Sequence, residues 1–249
     1  MTLQRVAVVT GSGQGIGAGC ARSLAEAGFK VVLMSPSERS VVLAKELGGV
    51  GMRGSLLDDR DLKALIDLAQ KSYGRIDAVV NNMGHGGGLP GPIQKIVYDK
   101  SFEGKLLEID DAIWHESLDM YLLAVVRVVR LVTPIMIAQR SGSIVNISSM
   151  NALEPRPTYP MSVLRLALHG FTKLFADRYA PYGVRMNDLL PGFCENVTLS
   201  QTALDSIPMA RPARMDEIGR ACVFLASDAS SYMTGQNILV DGGVNRGVR

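Results

Sequence analysis

"VVTGSGQGIGAGCARSLAEAG", residues 8–28, passes from a short apolar run through spaced glycines into a stretch of helix formers. The run opens at residue 5 as "RVAVVT" and is apolar on consecutive positions, as a strand buried on both faces is. Gly11, Gly13, Gly15 and Gly17 allow a tight turn and a close approach of backbone to an anion, with no Cβ in the way. A helix opening near Gly15 would offer unpaired N–H groups and the positive end of its dipole to a pyrophosphate. Spaced glycines alone describe any flexible turn. Placed after the first strand and before the first helix, they are the expected context of a dinucleotide site.

The same alternation continues along the chain. Further strands are expected at "KVVLMS" (30–35), "VGMRG" (50–54), "IDAVVNN" (76–82), "GSIVNIS" (142–148), "GVRMNDLL" (183–190) and "QNILVDG" (236–242). Helices are expected near 15–28, 37–47, 58–73, 110–139, 161–180 and 215–227. Strands alternating with helices of this length imply βαβ units. The expected fold is therefore α/β, a doubly wound parallel sheet of about seven strands, in one domain over 1–249 with no internal repeat or low-complexity linker. Two segments interrupt the regularity and are candidates to close over a substrate: 85–109, rich in glycine and proline at its start, and 193–212. Connections this long in a compact domain are usually functional.

Composition narrows the function. The 249 residues are 47% hydrophobic and 20% charged with a net charge of +2, too small and too evenly spread to favour nucleic acid or a membrane surface. Cys20, Cys194 and Cys222 are odd in number and lack metal-ligand spacing, so they read as reduced thiols of a cytoplasmic protein, and no metal site is expected. The longest apolar stretch, 121–138, carries Arg127, Arg130 and Pro134, which favours a buried helix over a membrane span. No secretory signal is expected at the start of the chain.

The motifs resemble, in order, those of the short-chain dehydrogenase/reductase family. "TGSGQGIG" (10–17) is similar to its TGxxxGxG, "VVNNMG" (79–84) to its NNAG with Met83 for alanine, and "GSIVNISS" (142–149) to the strand before its catalytic serine. "VRMNDLLPG" (184–192) and "FLASDASSYMTGQNILVDGG" (224–243) are similar to its Pro-Gly segment and C-terminal signature. The resemblance implies a Rossmann fold, a nicotinamide cofactor, a small-molecule substrate and a homo-oligomer, tetramer or dimer. It assigns cofactor contacts to Gly11, Ser12, Gln14, Gly15, Ile16, Gly17, Asn82, Gly84, Pro191 and Gly192. An acid after the second strand would hold the adenosine ribose of NAD(H). Ser35 stands there, followed by Ser37 and Arg39, which suit a 2′-phosphate and favour NADP(H), although Glu38 argues mildly against it. Ser55 replaces an aspartate expected at the adenine, leaving its hydroxyl and the Leu56 backbone to serve.

The catalytic positions diverge. The family uses Ser, Tyr, a Lys four residues after that Tyr, and often an Asn on the preceding long helix. Ser149 is retained, but Arg165 falls on the lysine, Met161 on the tyrosine and Tyr121 on the asparagine. The expected catalytic set is Ser149, Tyr159 and Arg165, with Tyr159 two residues before the family position and Tyr121 as a second phenol. The divergent enoyl-reductase branch also carries Met at that position, with its tyrosine one residue further away than Tyr159 is. An arginine can lower a neighbouring phenol's pKa but cannot release its own proton. The function implied is an NADP(H)-dependent oxidoreductase of ketoreductase type acting on a neutral, moderately hydrophobic carbonyl or alcohol. The alternatives are enoyl-reductase-like activity, a catalytically weak nucleotide-binding sensor or scaffold, and lyase-like chemistry, the last opposed by the retained glycines. His85 is expected in a solvated loop and His169 as a structural helix residue. Asn196 stands near a position where the family has a threonine beside the nicotinamide amide.

Overall fold

A computed structural model describes residues 4–82, 106–155 and 161–247. Seven strands form one parallel sheet: β1 (Val6–Thr10), β2 (Lys30–Ser35), β3 (Val50–Arg53), β4 (Ala78–Asn82), β5 (Gly142–Ile147), β6 (Val184–Pro191) and β7 (Asn237–Val240). Their spatial order is β3-β2-β1-β4-β5-β6-β7. The order reverses between β1 and β4, so the carboxyl ends of these two strands flank the crevice where ligands bind in open α/β sheets.

The helices are α1 (Gly15–Glu26), α2 (Arg39–Glu46), α3 (Asp59–Tyr73), α4 (Asp111–Leu118), α5 (Ala124–Gln139), α6 (Ser162–Tyr179), α7 (Gln201–Asp205) and α8 (Met215–Ala226). One apolar cluster joins β1, β4 and β5 to α3, α5 and α6, and includes Val8, Leu62, Leu65, Val128, Ile144 and Leu168. A second covers the other face with α1, α2 and α8, and includes Val9, Leu24, Leu43, Val80, Val145 and Ile218. The central strands β1, β2, β4, β5 and β6 bury both faces, which is why they read as largely continuous apolar runs, whereas the edge strands β3 and β7 are only partly buried.

The expected helix at 110–139 is not uniform. A π-helical turn, Asp119–Leu123, separates α4 from α5. The wider turn inserts one extra residue and rotates Tyr121, at its centre, into the protein, where it is fully buried. By length and composition, Asp111–Gln139 is also the one stretch of the described residues that could cross a membrane. In this fold its half-buried Arg127 pairs with Asp119 at 2.5 Å and Asp59 at 3.2 Å, while its apolar face packs on the sheet. The five-residue α7, within 193–212, was not anticipated; Ser200 caps it by accepting from the Ala203 N–H at 3.3 Å.

Across β4, β5 and β6, Asn81, Asn146 and Asp188 stand in register as a buried polar row. Asn81 donates to Asn146 Oδ1 at 2.8 Å, and Asn146 donates to Asp188 Oδ1 at 2.9 Å. Thr172 of α6 donates to the same oxygen at 2.8 Å, while Asp188 Oδ2 has no partner among the described residues. Burial pushes the Asp188 carboxyl up to about 7, although the bonds from Asn146 and Thr172 pull it the other way. An aspartate in an unfolded chain titrates near 3.9, so the native state binds this proton more tightly. The resulting stability is whole below about pH 3.9 and is lost as pH rises through about 7. Calorimetry should therefore show Tm falling between about pH 4 and pH 7 and levelling off above, with a flatter profile in Asp188→Asn. Parallel profiles for the two proteins would refute the assignment.

Candidate functional site

The glycine turn sits at the reversal point, as its sequence demands. Gly15 has φ +56°, a left-handed conformation that favours glycine. Gly17 packs so closely on the Gly11 carbonyl that a Cβ would collide with it. That carbonyl also accepts from Asn82 Nδ2 at 2.9 Å, and the Asn82 N–H donates to Thr10 Oγ1 at 3.1 Å. The β1 and β4 ends are thereby tied across the crevice. Ser12 is buried with its N–H on the Met34 carbonyl at 3.2 Å, which pins the turn to β2. Ile16 packs on the core behind the turn.

Helix α1 begins at Gly15, and its N-cap, Gln14, makes no side-chain capping bond. The first N–H groups of an α-helix have no intrahelical partner, so they face the crevice with the dipole behind them. A Cβ at Gly13 would lie 2.7 Å from Ser35 Oγ and 3.2 Å from Ser37 Oγ, so this turn approaches the end of β2 closely. Ser35 Oγ donates to the Ser37 carbonyl at 3.2 Å. Arg39, exposed at the surface, donates to Gln14 Oε1, which brings its cation to the turn. Glu38 is drawn away toward Arg53 at 3.6 Å. Arg53 also donates to the Pro36 carbonyl at 3.3 Å and is a second cation at this corner, missed in the sequence because it closes a different strand. Ser55 accepts from the Leu57 N–H at 3.2 Å, and its own N–H is held by Asp61 at 2.8 Å, so a carboxylate serves this loop from α3. Leu56 packs on the core beneath.

On the far side, Pro191 ends β6, and the Gly192 N–H donates to the Val240 carbonyl at 3.0 Å. The chain then pairs with Ala213 through Phe193 and Glu195, and Glu195 Oε1 accepts from the Met215 N–H at 2.9 Å at the start of α8. Asn196 follows; a Cβ at Gly15 would lie 3.1 Å from its Nδ2. The segment after Pro-Gly is thus anchored against the glycine turn. Phe193, Leu199, Leu204 and Ile207 cluster with Met150, giving an apolar wall beside Ser149.

Ser149 is partly exposed and follows the end of β5 in an extended conformation. Its Oγ accepts from the Asn151 N–H at 3.2 Å, which leaves its own proton to be donated. Arg165 of α6 is buried; its guanidinium donates to the Ile147 carbonyl at 2.9 Å and lies 4.5 Å from the centre of the Tyr121 ring. Met161 is fully buried in one apolar cluster with Tyr121, Ile109 and Ile113. One turn beyond Arg165, His169 Nε2 lies 2.7 Å from Ser148 Oγ, both side chains buried. Gly84, His85 and Tyr159 lie outside the described residues.

Residues 11–245 match the family profile described as "Enoyl-(Acyl carrier protein) reductase". The 3-oxoacyl-[acyl-carrier-protein] reductase FabG of Thermotoga maritima is 33% identical, covering 96% of this chain and 97% of its own length. The cis-4-hydroxycyclohexanecarboxylate dehydrogenase of Sinomonas cyclohexanicum is 32% identical with 96% of each chain covered. The solved structure of the TT0495 protein from Thermus thermophilus superposes with a TM-score of 0.82 at 29% identity, covering 97% of this chain and 99% of its own. The chain belongs to the short-chain dehydrogenase/reductase family. Within the described residues, this short-chain dehydrogenase/reductase brings Ser35, Ser37, Arg39 and Asn82 to the turn Gly11 to Gly17, while the segment after Pro191 and Gly192 reaches it through Asn196. Met161 and Tyr121 are buried together in one apolar cluster. The Tyr121 ring face takes the arginine's charge, a contact worth about 0.5–2 kcal/mol depending on desolvation.

If Tyr121 is this support, Tyr121→Phe should cost about 1 kcal/mol and Tyr121→Ala about 3–5 kcal/mol in urea unfolding. Equal losses for the two variants would mean that the ring contributes no more than its hydroxyl.

Proposed function

We propose that the protein is an NADP(H)-dependent oxidoreductase that interconverts a small, neutral, moderately hydrophobic carbonyl compound and its alcohol. One observation carries this reading: the glycine turn that leads into α1 comes up at Gly13 against Ser35 and Ser37, with hydroxyls where an acidic side chain would repel a 2′-phosphate. Arg39 adds a cation at that turn, and Arg53 holds Glu38 back. The names of the relatives, a reductase and a dehydrogenase, support the reaction class.

When bound, the nicotinamide would supply or accept a hydride; the remaining roles fall to the chain. Ser149, its oxygen already accepting from Asn151, would donate a hydrogen bond to the substrate oxygen and keep its own proton. Arg165 would remain charged and favour the anionic form of a nearby phenol, without carrying a proton itself. Tyr159 would supply the proton from the segment before α6. The wall of Phe193, Leu199, Leu204, Ile207 and Met150 suits an apolar substrate body. The outer face of α6, with Val163, Leu166 and Leu174 exposed, supports assembly as a dimer or tetramer through this helix.

A second reading, a nucleotide-binding sensor of little activity, is favoured by the burial of both Met161 and Tyr121. An enoyl reductase is favoured by the description of the matching profile. Assay of NADPH oxidation with neutral ketones and enones separates the three. Ketone reduction is expected, with Ser149→Ala about a hundredfold slower in kcat and Tyr159→Phe also impaired. Enone turnover alone would favour the enoyl-reductase reading, and NADPH binding with no turnover the sensor. Arg39→Ala should weaken NADPH about tenfold and leave NADH unchanged; equal weakening of both would contradict the 2′-phosphate role.

A further inference from the structure

We propose that His169 is a positioning residue that sets the direction of Ser149 by holding Ser148; the proposal rests on the oxidoreductase reading. His169 and Ser148 are 6% and 5% exposed, and their Nε2 and Oγ atoms are 2.7 Å apart. An apolar pair could fill this space without desolvating two polar groups, so burial alone does not call for an imidazole. The bond adds direction. Ser148 is the residue at which β5 leaves the sheet: its N–H donates to the Leu189 carbonyl at 2.8 Å. The preceding carbonyl, of Ile147, is held by Arg165 at 2.9 Å. Helix α6 therefore grips the carbonyl of one residue and the side chain of the next, immediately before Ser149.

Ser149 has φ −157° and ψ 147°, and successive side chains along extended backbone point to opposite faces. Anchoring Ser148 toward α6 sends the Ser149 side chain to the other side of the strand end, where its Oγ takes the Asn151 N–H of the turn Met150–Ala152, beside the apolar wall that Met150 shares with Phe193 and Ile207. Released from His169, Ser148 can adopt another rotamer, and the Ser149 hydroxyl loses its fixed direction. The imidazole acts on the reaction only through this displacement.

The test compares kcat, KM, NADPH Kd and Tm in the wild type, His169→Phe, His169→Gln, Ser148→Ala and the combination of His169→Phe with Ser148→Ala. A misdirected catalytic group costs about ten- to a hundredfold in rate. His169→Phe and Ser148→Ala should each lower kcat by that factor and leave NADPH Kd within about twofold, because the cofactor cradle is not touched. The combined variant should be no slower than either alone. His169→Gln, which can still bond Ser148, should recover most of the rate. Wild-type kcat in both single variants, additive losses in the combined one, or a fall in kcat and Tm with a parallel rise in NADPH Kd would overturn the proposal. If His169→Phe does not fold, Ser148→Ala, which deletes only a hydroxyl, decides between the same outcomes. A wild type that turns over no ketone or enone refutes the oxidoreductase reading and the proposal with it. An active wild type with unaffected variants refutes the proposal alone.

Discussion

The site depends on a seam between helix α6 and strand β5. Three polar side chains on one stripe of the helix meet three consecutive strand residues. Arg165 takes the Ile147 carbonyl, His169 meets the Ser148 hydroxyl, and Thr172 accepts from Asn146 Nδ2 at 3.1 Å. Positions 165, 169 and 172 recur at the spacing of one helix face. Because each bond is buried, leaving one unmade would cost the desolvation of its partner. The register between helix and strand is therefore narrowly set. Ser149 lies one residue beyond the seam, and Met161 begins the helix that forms it.

The cofactor half of the site obeys a different constraint, the reversal of strand order between β1 and β4. The crossing from Asn82 to the Gly11 carbonyl closes that point, and the glycines bring backbone rather than side chains to it. This half was legible in the sequence because its demands are on residue type: only glycine tolerates φ +56° at Gly15 without strain or fits against the carbonyl beside Gly17. The strands were legible too, since burial on both faces leaves continuous runs such as "KVVLMS" (30–35).

What the sequence did not reveal arises from contacts between distant segments. His169 has the spacing of an ordinary helix residue, and its contact with Ser148 arises only because β5 is laid beside α6. Arg53 lies 14 residues from Arg39 yet flanks the same corner, because β3 lies beside β2. Asp188 carries no local sign that its carboxyl is enclosed by Asn146 and Thr172. The π-helical turn likewise follows no residue pattern of its own; it becomes intelligible once Tyr121 is seen beneath the Arg165 guanidinium. Met161, Tyr121 and Arg165 form one packed unit: the methionine and the tyrosine share an apolar cluster, and the arginine's charge rests on the tyrosine ring.

We propose that the chain holds a working NADP(H) cradle beside Ser149 and Arg165. The most direct test is a fluorescence titration of the protein with NADPH and, separately, NADH. The account predicts saturable binding of one dinucleotide per chain, about tenfold or more tighter for NADPH. Absence of saturable binding to either dinucleotide would contradict it.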